Sequence, residues 1–139
     1  MSAMTAIRWQ QRFQNFEKAF LLLQEIVESK DNLSEFEAIV QEGIIQRFEY
    51  TFELAWKTLK DRMEFDGLNL ERISPKCIFK DAYNSKYIGN IEIWIDMTGE
   101  RNLMRHTYDS VKLTEILKNI KETYYPEIRA LYIDFKYKI

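Results

Sequence analysis

Apolar side chains recur along this chain every three or four residues, which is the spacing of one face of an α-helix. The first such stripe consists of Phe13, Phe16, Phe20, Leu23 and Val27. It predicts an amphipathic helix over about residues 5–29. No stretch of useful length alternates apolar and polar positions as a half-buried strand would, so the pattern indicates an all-α fold.

A second, longer stripe predicts a helix that ends at Asp66-Gly67. Its apolar members are Phe36, Val40, Ile44, Phe48, Phe52, Ala55, Leu59 and Met63. Ser34 and Glu37 have the spacing of a capping box at its start, and Gly67 is the usual left-handed stop at its end. At about 30 residues this helix would extend roughly 45 Å, longer than a compact chain of this size needs, and that length suggests a partner.

Three further helices complete the pattern. Their predicted bounds are Ser74-Pro75 to about Asn84, Gly89-Asn90 to about Arg105, and Asp109 to about Phe135. Pro126 lies inside the last one and is expected to kink it or break it into two helices. The chain therefore predicts a single domain over residues 1–139, an up-and-down helical bundle of five to six helices with a four-helix-bundle-like core.

Composition supports a helical core and excludes several classes of protein. The chain has four glycines and two prolines among 139 residues, far below the roughly 12% of average usage, which disfavours a turn-rich sandwich, a barrel or a Gly-rich phosphate loop. Nine Phe, eight Tyr and three Trp supply large apolar side chains. That content excludes a disordered chain.

Charge and cysteine content restrict the ligands. The net charge of −2 provides no bulk basic field, so any contact with nucleic acid must be local. Residues 32–67 carry four basic and eight acidic side chains and residues 68–108 carry six and five, which favours the second region for binding phosphate. The single cysteine, Cys77, is expected to be a small buried apolar residue, and with one histidine it makes no zinc site. No metal and no cofactor are predicted.

The chain also lacks the sequence features of membrane and secreted proteins. Its N-terminus has no long apolar core of a signal peptide, and no run approaches the roughly 18 apolar residues of a membrane span. We expect a cytoplasmic protein with no membrane partner.

The densest polar cluster, residues 100–109, lies where the fourth helix gives way to the fifth. Arg101 and Arg105 are four apart and could receive the same phosphate from one helix face. Asn102 and His106 are also four apart, so the amide could orient the imidazole. Arg101 and His106 are five positions apart, so on one continuous helix their side chains would point in directions that differ by about 140°. They converge only if the helix ends between them or if the second partner comes from another subunit.

The same cluster carries a family resemblance. Arg101-Asn102-x-x-x-His106-x-Tyr108 resembles the Arg-x4-His-x-Tyr motif of HEPN-domain proteins, the helical halves of HEPN/MNT toxin–antitoxin pairs. Two longer segments, residues 8–19 and 42–57, are similar to the nucleotidyltransferase substrate-binding proteins, which include toxins of the HepT-like type. Together the similarities cover nearly the whole chain.

This resemblance implies a homodimer that acts as a metal-independent endoribonuclease and is neutralised by a cognate MNT nucleotidyltransferase. It assigns His106 as the general acid/base for attack of the ribose 2′-hydroxyl on the adjacent phosphate, and Arg101 as the group that stabilises charge on that phosphate. Asn102 would orient or polarise the imidazole of His106, and Arg105 could add a phosphate contact. Tyr108 matches the tyrosine that the nucleotidyltransferase modifies with AMP.

Two other interpretations of the chain stay open. One is a non-catalytic subunit that binds nucleotide or substrate for a nucleotidyltransferase, and the other is a plain helical interaction module. The alternative role for His106 is a helix-terminal histidine bonded to carbonyls, and for Tyr108 it is an ordinary interface aromatic.

Outside the cluster, ordinary structural roles are expected. The aromatic run Phe48, Tyr50, Phe52 and Trp56 is predicted to serve core and dimer packing rather than base stacking. Glu49, Glu53 and Lys57 are interpreted as successive helix-stabilising pairs, and Lys76, Lys80 and Lys86 as a solvated face. Gly43 and Gly99 fall inside predicted helices, where a missing side chain permits close packing, for Gly99 across the dimer.

Overall fold

The computed structural model describes residues 3–104 and 110–138. The helices are α1 (Ala3–Val27), α2 (Ala38–Phe65), α3 (Pro75–Asn84), α4 (Ile91–Met104), α5 (Ser110–Asn119) and α6 (Tyr125–Lys136). A 3₁₀ turn (Leu33–Glu35) precedes α2, and a π turn (Ile120–Tyr124) joins α5 to α6. No strand occurs in these two ranges, and the all-α prediction is confirmed.

The first two helices pack against each other as an antiparallel pair. Near one end, Arg12 Nε donates to Asp61 Oδ2 at 2.9 Å. Near the other end, Arg47 Nη1 donates to the carbonyl oxygen of Leu22 at 2.7 Å. Because partner positions rise along α1 as they fall along α2, the two helices run in opposite directions. Their facing apolar side chains form much of the core, including Phe16, Phe20, Leu23, Phe48, Phe52 and Leu59.

The start of α2 differs from the sequence prediction, while its end agrees. Ser34 lies inside the 3₁₀ turn, where its backbone N–H donates to the Asn32 side chain at 3.0 Å. Glu37 is the residue before α2 and makes no side-chain capping bond, so the predicted capping box is wrong. Gly67 has φ of +93°, and Leu68 N–H donates to the carbonyl of Met63 at 3.0 Å. This is the left-handed helix end that the glycine predicted.

The short helix α3 begins as expected. Ser74 accepts a hydrogen bond from Cys77 N–H at 3.3 Å, and Pro75 occupies the first helical turn. This combination of a serine cap and a proline is the usual start of a helix. Cys77 itself is half-buried rather than buried, because its position at the first turn leaves it near the surface.

Pro126 interrupts the last long helix by widening it. Proline has no N–H to donate to the carbonyl four residues earlier, and its ring clashes with that carbonyl. The turn just before it is a π turn, in which the N–H of Tyr125 reaches the carbonyl of Ile120, five residues back. The chain then continues as α6 with Pro126 in its first turn. The predicted interruption is therefore present as a π turn.

The long element from α5 to α6 returns antiparallel to α1. Lys121 Nζ donates to the carbonyls of Val27 at 2.6 Å and Lys30 at 2.9 Å, which caps the end of a helix that has no basic residue in its last turn. Further along, Tyr132 donates to Glu17 at 2.6 Å. The fourth helix, α4, runs antiparallel to α6. The core is therefore surrounded by elements that alternate in direction, namely α1, α2, α4 and α5–α6. This is the predicted up-and-down bundle.

The length of α2 does not require a second chain. It has 28 residues, and the 25 residues of α1 pack along it. The partner suggested by a long overhang is therefore not needed to cover this helix. Within the described ranges no helix is both long and apolar enough to span a membrane.

Candidate functional site

Helix α4 carries the first two residues of the predicted motif in its last described turn. Its inner face buries Trp94, Met97 and Thr98, and Thr98 Oγ1 bonds back to the carbonyl of Trp94 at 2.8 Å. Arg101 follows one turn after Met97 and Thr98, so it lies on the same inner side. Asn102, the next residue, is exposed.

The guanidinium of Arg101 is held between α4 and α2. Its side chain is 13% exposed, and Nη2 donates to Glu53 Oε1 in a close ion pair. The guanidinium carbon lies 5.6 Å from the centre of the Phe52 ring, a cation–π distance. Arg101 Nε is buried and makes no hydrogen bond in the described part of the chain. The orientation of this arginine is thus set by a carboxylate and an aromatic ring of α2.

Glu53 makes contacts through both oxygens of its carboxylate. Trp56 Nε1 donates to Oε2 at 3.2 Å, and Lys57 Nζ lies 3.7 Å from the same oxygen. The predicted helical pairing of Glu53 with Lys57 is present. Its ion pair with Arg101 was missed, because the two residues are 48 positions apart and no local pattern in the sequence joins them.

Glu100, which precedes Arg101, connects α4 to the last long helix through hydrogen bonds. Its carboxylate accepts a hydrogen bond from the Tyr124 hydroxyl, and Asn119 Nδ2 donates to both of its oxygens at 3.1 and 3.2 Å. Burial, followed by the bond to Glu100, raises the pKa of Tyr124 above its ordinary value of 10.0. The tyrosine therefore stays a hydrogen-bond donor at neutral pH, and it fixes the turn that precedes Arg101.

A groove of about 560 Å³ lies between α4 and α5, on the side of α4 away from Arg101. Its described lining residues are Lys76, Ile95, Asp96, Gly99, Glu100, Lys112, Glu115, Ile116 and Tyr124. Three carboxylates and two ammonium groups give it no excess of positive charge. Arg101 is not among these described lining residues.

The aromatic run on α2 divides into two pairs. Phe48 and Phe52 are buried and stack in the core with ring centres 6.4 Å apart, as predicted. Tyr50 is 60% exposed, and Trp56 is half-buried beside Glu53. The prediction of core packing is therefore confirmed for the two phenylalanines, and the dimer packing predicted for the same run stays a prediction for the exposed Tyr50. The lysine face is confirmed, since Lys76, Lys80 and Lys86 are exposed.

The structure places two of the five predicted site residues. Arg101 and Asn102 lie on α4 as described above. Arg105, His106 and Tyr108 lie outside the described residues, as does the predicted convergence of Arg101 with His106. Glu53 is the site residue that sequence reasoning did not find.

Comparisons with known proteins support the all-α fold and identify the family. Residues 11–136 match the family described as nucleotidyltransferase substrate binding protein like. Because the match covers most of the chain, this protein belongs to that family, and the resemblance inferred from its motifs is confirmed.

Two individual proteins are similar to the chain. One is described as a probable ribonuclease HepT of Haemophilus influenzae, with 31% identity over 83 residues, or 58% of this chain and 57% of that protein. The chain thus spans a little over half the length of this curated relative. The other is a Thermus thermophilus protein of known crystal structure, with 28% identity and a TM-score of 0.71 over 86% of this chain and 96% of the other.

Proposed function

We propose that this protein is a metal-independent endoribonuclease of the HEPN toxin type, with Arg101 and His106 as its catalytic pair. The observation that carries the proposal is the placement of Arg101. Its guanidinium is ordered by Glu53 and Phe52 at the end of α4, immediately before the segment that carries His106. The similarity to a protein described as a probable ribonuclease also supports it.

Arg101 supplies the charge that RNA cleavage requires. A guanidinium carries five N–H donors in a planar fork that matches phosphate oxygens. Glu53 engages it through Nη2, which leaves donors for a phosphate. Arg101 would then stabilise the negative charge that develops as a fifth oxygen approaches phosphorus.

His106 performs the proton transfers in this mechanism. As a base, its imidazole takes the proton of the ribose 2′-hydroxyl while that oxygen attacks the adjacent phosphorus. The bond from phosphorus to the 5′-oxygen breaks, which gives a 2′,3′-cyclic phosphate, and the protonated imidazole gives its proton to the departing 5′-oxygen. Asn102 orients the imidazole and Arg105 adds a phosphate contact. The need for a 2′-hydroxyl restricts the reaction to RNA.

The proposal includes two partners. A homodimer would bring two motif-bearing helices together to form one groove. A cognate MNT nucleotidyltransferase would neutralise the toxin by transferring AMP to Tyr108, since a bulky anionic adduct blocks the groove by charge and volume. The nucleotidyltransferase in the family description supports this second partner.

RNA cleavage by the purified protein in EDTA tests the activity. We expect the wild type to cut single-stranded RNA and to leave unchanged an RNA whose 2′-hydroxyls are methylated. His106→Ala and Arg101→Ala should each lose at least about 10²-fold in rate. Arg72→Ala, which changes an exposed arginine outside the motif, should cut as the wild type does. Equal cleavage by the wild type and His106→Ala would overturn the assignment.

A second candidate function rests on the family description, which refers to substrate binding. In it, the protein binds nucleotide through Arg101 and presents it to the nucleotidyltransferase without cleaving RNA. Equilibrium binding of ATP and AMP distinguishes the two. Nucleotide affinity that falls in Arg101→Ala, together with no RNA cleavage by the wild type, would favour this candidate.

A further inference from the structure

We propose that Glu53 is the positioning residue for Arg101, and that RNA cleavage depends on Glu53 through its effect on that arginine. The inference rests on the proposed function, because it concerns the orientation of the catalytic arginine. It assigns a role to α2, the helix that carries none of the motif.

The carboxylate of Glu53 accepts a hydrogen bond at each of its two oxygens. Oε1 accepts from Arg101, whereas Oε2 accepts from the Trp56 indole at 3.2 Å. The indole therefore fixes the plane of the carboxylate, and the remaining oxygen faces α4. A glutamate that served only to stabilise α2 would need no partner beyond Lys57, one turn along its own helix.

The ion pair between Arg101 and Glu53 is largely buried. The side chains of Arg101 and Glu53 are 13% and 27% exposed, so water does little to hold the guanidinium in place. Without the carboxylate, the long arginine side chain could rotate about its single bonds, and only the ring of Phe52 would restrain it. Ion pairs of this kind orient a charge more than they add net stability.

The charges around Glu53 do not cancel. Two cations, Arg101 and Lys57, contact the one carboxylate. One net positive charge therefore remains in the cluster formed by Glu53, Lys57 and Arg101. Glu53 can orient the arginine without cancelling the field that attracts a phosphate.

The direct test is Glu53→Gln, which keeps the shape of the side chain and removes its charge. We expect kcat for RNA cleavage to fall about 10²-fold, since displacement of a catalytic group by an ångström has that effect. KM should change little. Glu49→Gln, one turn earlier on α2 and also half-buried, is the matched control and should keep wild-type kcat.

Arginine side-chain NMR supplies a readout that does not depend on activity. In the wild type, the ion pair should slow rotation of the Arg101 guanidinium and resolve its Nη resonances. In Glu53→Gln those resonances should average, while they should stay resolved in Glu49→Gln. Glu53→Asp, which keeps the charge but shortens the reach, should give an intermediate kcat and provides a folded variant should Glu53→Gln unfold.

The outcomes separate the positioning role from the proposed activity. Averaged resonances together with a lower kcat support the role. Resonances that stay resolved in Glu53→Gln, or an unchanged kcat despite averaging, would overturn it. A wild type that cleaves no RNA overturns the proposed activity instead, and the spectra then still show whether Glu53 orients Arg101.

Discussion

Asp61 is a charged residue whose side chain is buried in the described core. Its side chain is fully buried, with Arg12 Nε at 2.9 Å from Oδ2 and Lys60 Nζ at 3.4 Å from Oδ1. Within the described ranges, Oδ1 makes no hydrogen bond. A buried carboxylate is tolerated only when cations offset its loss of hydration. The stability of the α1–α2 pair should therefore depend on Arg12.

Arg12→Met should destabilise the protein by about 3 kcal/mol, because it leaves a buried carboxylate with only Lys60 nearby. Urea unfolding followed by circular dichroism measures this. Adding Asp61→Asn to Arg12→Met should restore part of the loss, since the amide removes the unpaired charge. A double variant less stable than Arg12→Met would contradict this account.

Glu17 links α1 to α6. Its carboxylate accepts hydrogen bonds from Lys136 Nζ and Tyr132 Oη, each at 2.6 Å. The bond from Lys136 and then that from Tyr132 hold the pKa of Glu17 below its ordinary value of 4.5. The unfolded chain therefore takes up this proton before the folded one does. The stabilising contribution is present above pH 4.5 and is lost as the pH falls through the lowered pKa.

Glu17→Gln should accordingly be less stable than the wild type at pH 7 and should lose less stability on acidification. The free energy of unfolding measured from about pH 7 to about pH 3 gives the two slopes. Glu25→Gln, an exposed position on the same helix, serves as the control and should keep the wild-type slope. Parallel curves for Glu17→Gln and the wild type would show that this carboxylate does not contribute.

At the scale of elements, the end of α3 contains an unfavourable residue. Lys86 has φ of +66°, and Tyr87 N–H donates to the carbonyl of Ala82 at 2.8 Å. The helix thus ends with the left-handed geometry that favours glycine, but with a lysine in that position. For a residue with a β-carbon this conformation costs about 1 kcal/mol.

Lys86→Gly should therefore stabilise the protein, by about 0.5–1 kcal/mol, against the usual direction of such a change. Thermal unfolding measures it. Lys80→Gly, at an exposed position inside the same helix, provides the contrast and should cost about 1 kcal/mol. If both variants lose stability equally, the left-handed conformation of Lys86 carries no penalty.

The elements of this fold were largely predictable because local patterns determine them. The stripe from Phe13 to Val27 required α1, and Ser74-Pro75 and Gly67 fixed two helix ends by their own backbone preferences. The capping role predicted for Ser34 was wrong because Asn32, two residues earlier, caps a 3₁₀ turn that contains Ser34. The sequence shows that Asn32 and Ser34 can both cap a helix, but the tertiary structure decides which of the two does so.

At the scale of the whole molecule, Gly43 and Gly99 were expected to permit close packing. A β-carbon at either position would meet no atom of the described residues within 4 Å, so these two glycines make no close contact with the described part of their own chain. Glycine in a helix costs about 1 kcal/mol relative to alanine. For Gly99, on α4, the sequence prediction was a close approach of another subunit, which measurements of self-association test.

Gly99→Ala should raise the stability of the isolated protomer by about 1 kcal/mol and weaken self-association. Analytical ultracentrifugation over a range of concentrations measures the second effect. Gly43→Ala, on α2, shows which helix makes the contact between subunits. Association weakened only by Gly99→Ala would place that contact on α4. A stability gain with unchanged association in both variants would count against glycine contacts between subunits.

The candidate site was predictable only in part, for a reason that concerns the whole chain. Arg101 and Asn102 could be selected because the motif is local. The contact of Arg101 with Glu53 depends on how α4 packs against α2, and neither helix encodes that contact in its own periodicity. The acidic character of α2 even argued against it as a phosphate site, although one of its carboxylates orients the arginine.

The antiparallel pair of α1 and α2 has a consequence for the order of folding. These helices are joined by about ten residues, so they can meet after closing a short loop, which has a small entropic cost. By contrast, Lys121 must return across 94 positions to reach the carbonyl of Val27. We expect α1 and α2 to form the folding nucleus and α6 to dock late. Destabilising changes in α6 should then speed unfolding, whereas those between α1 and α2 should slow folding.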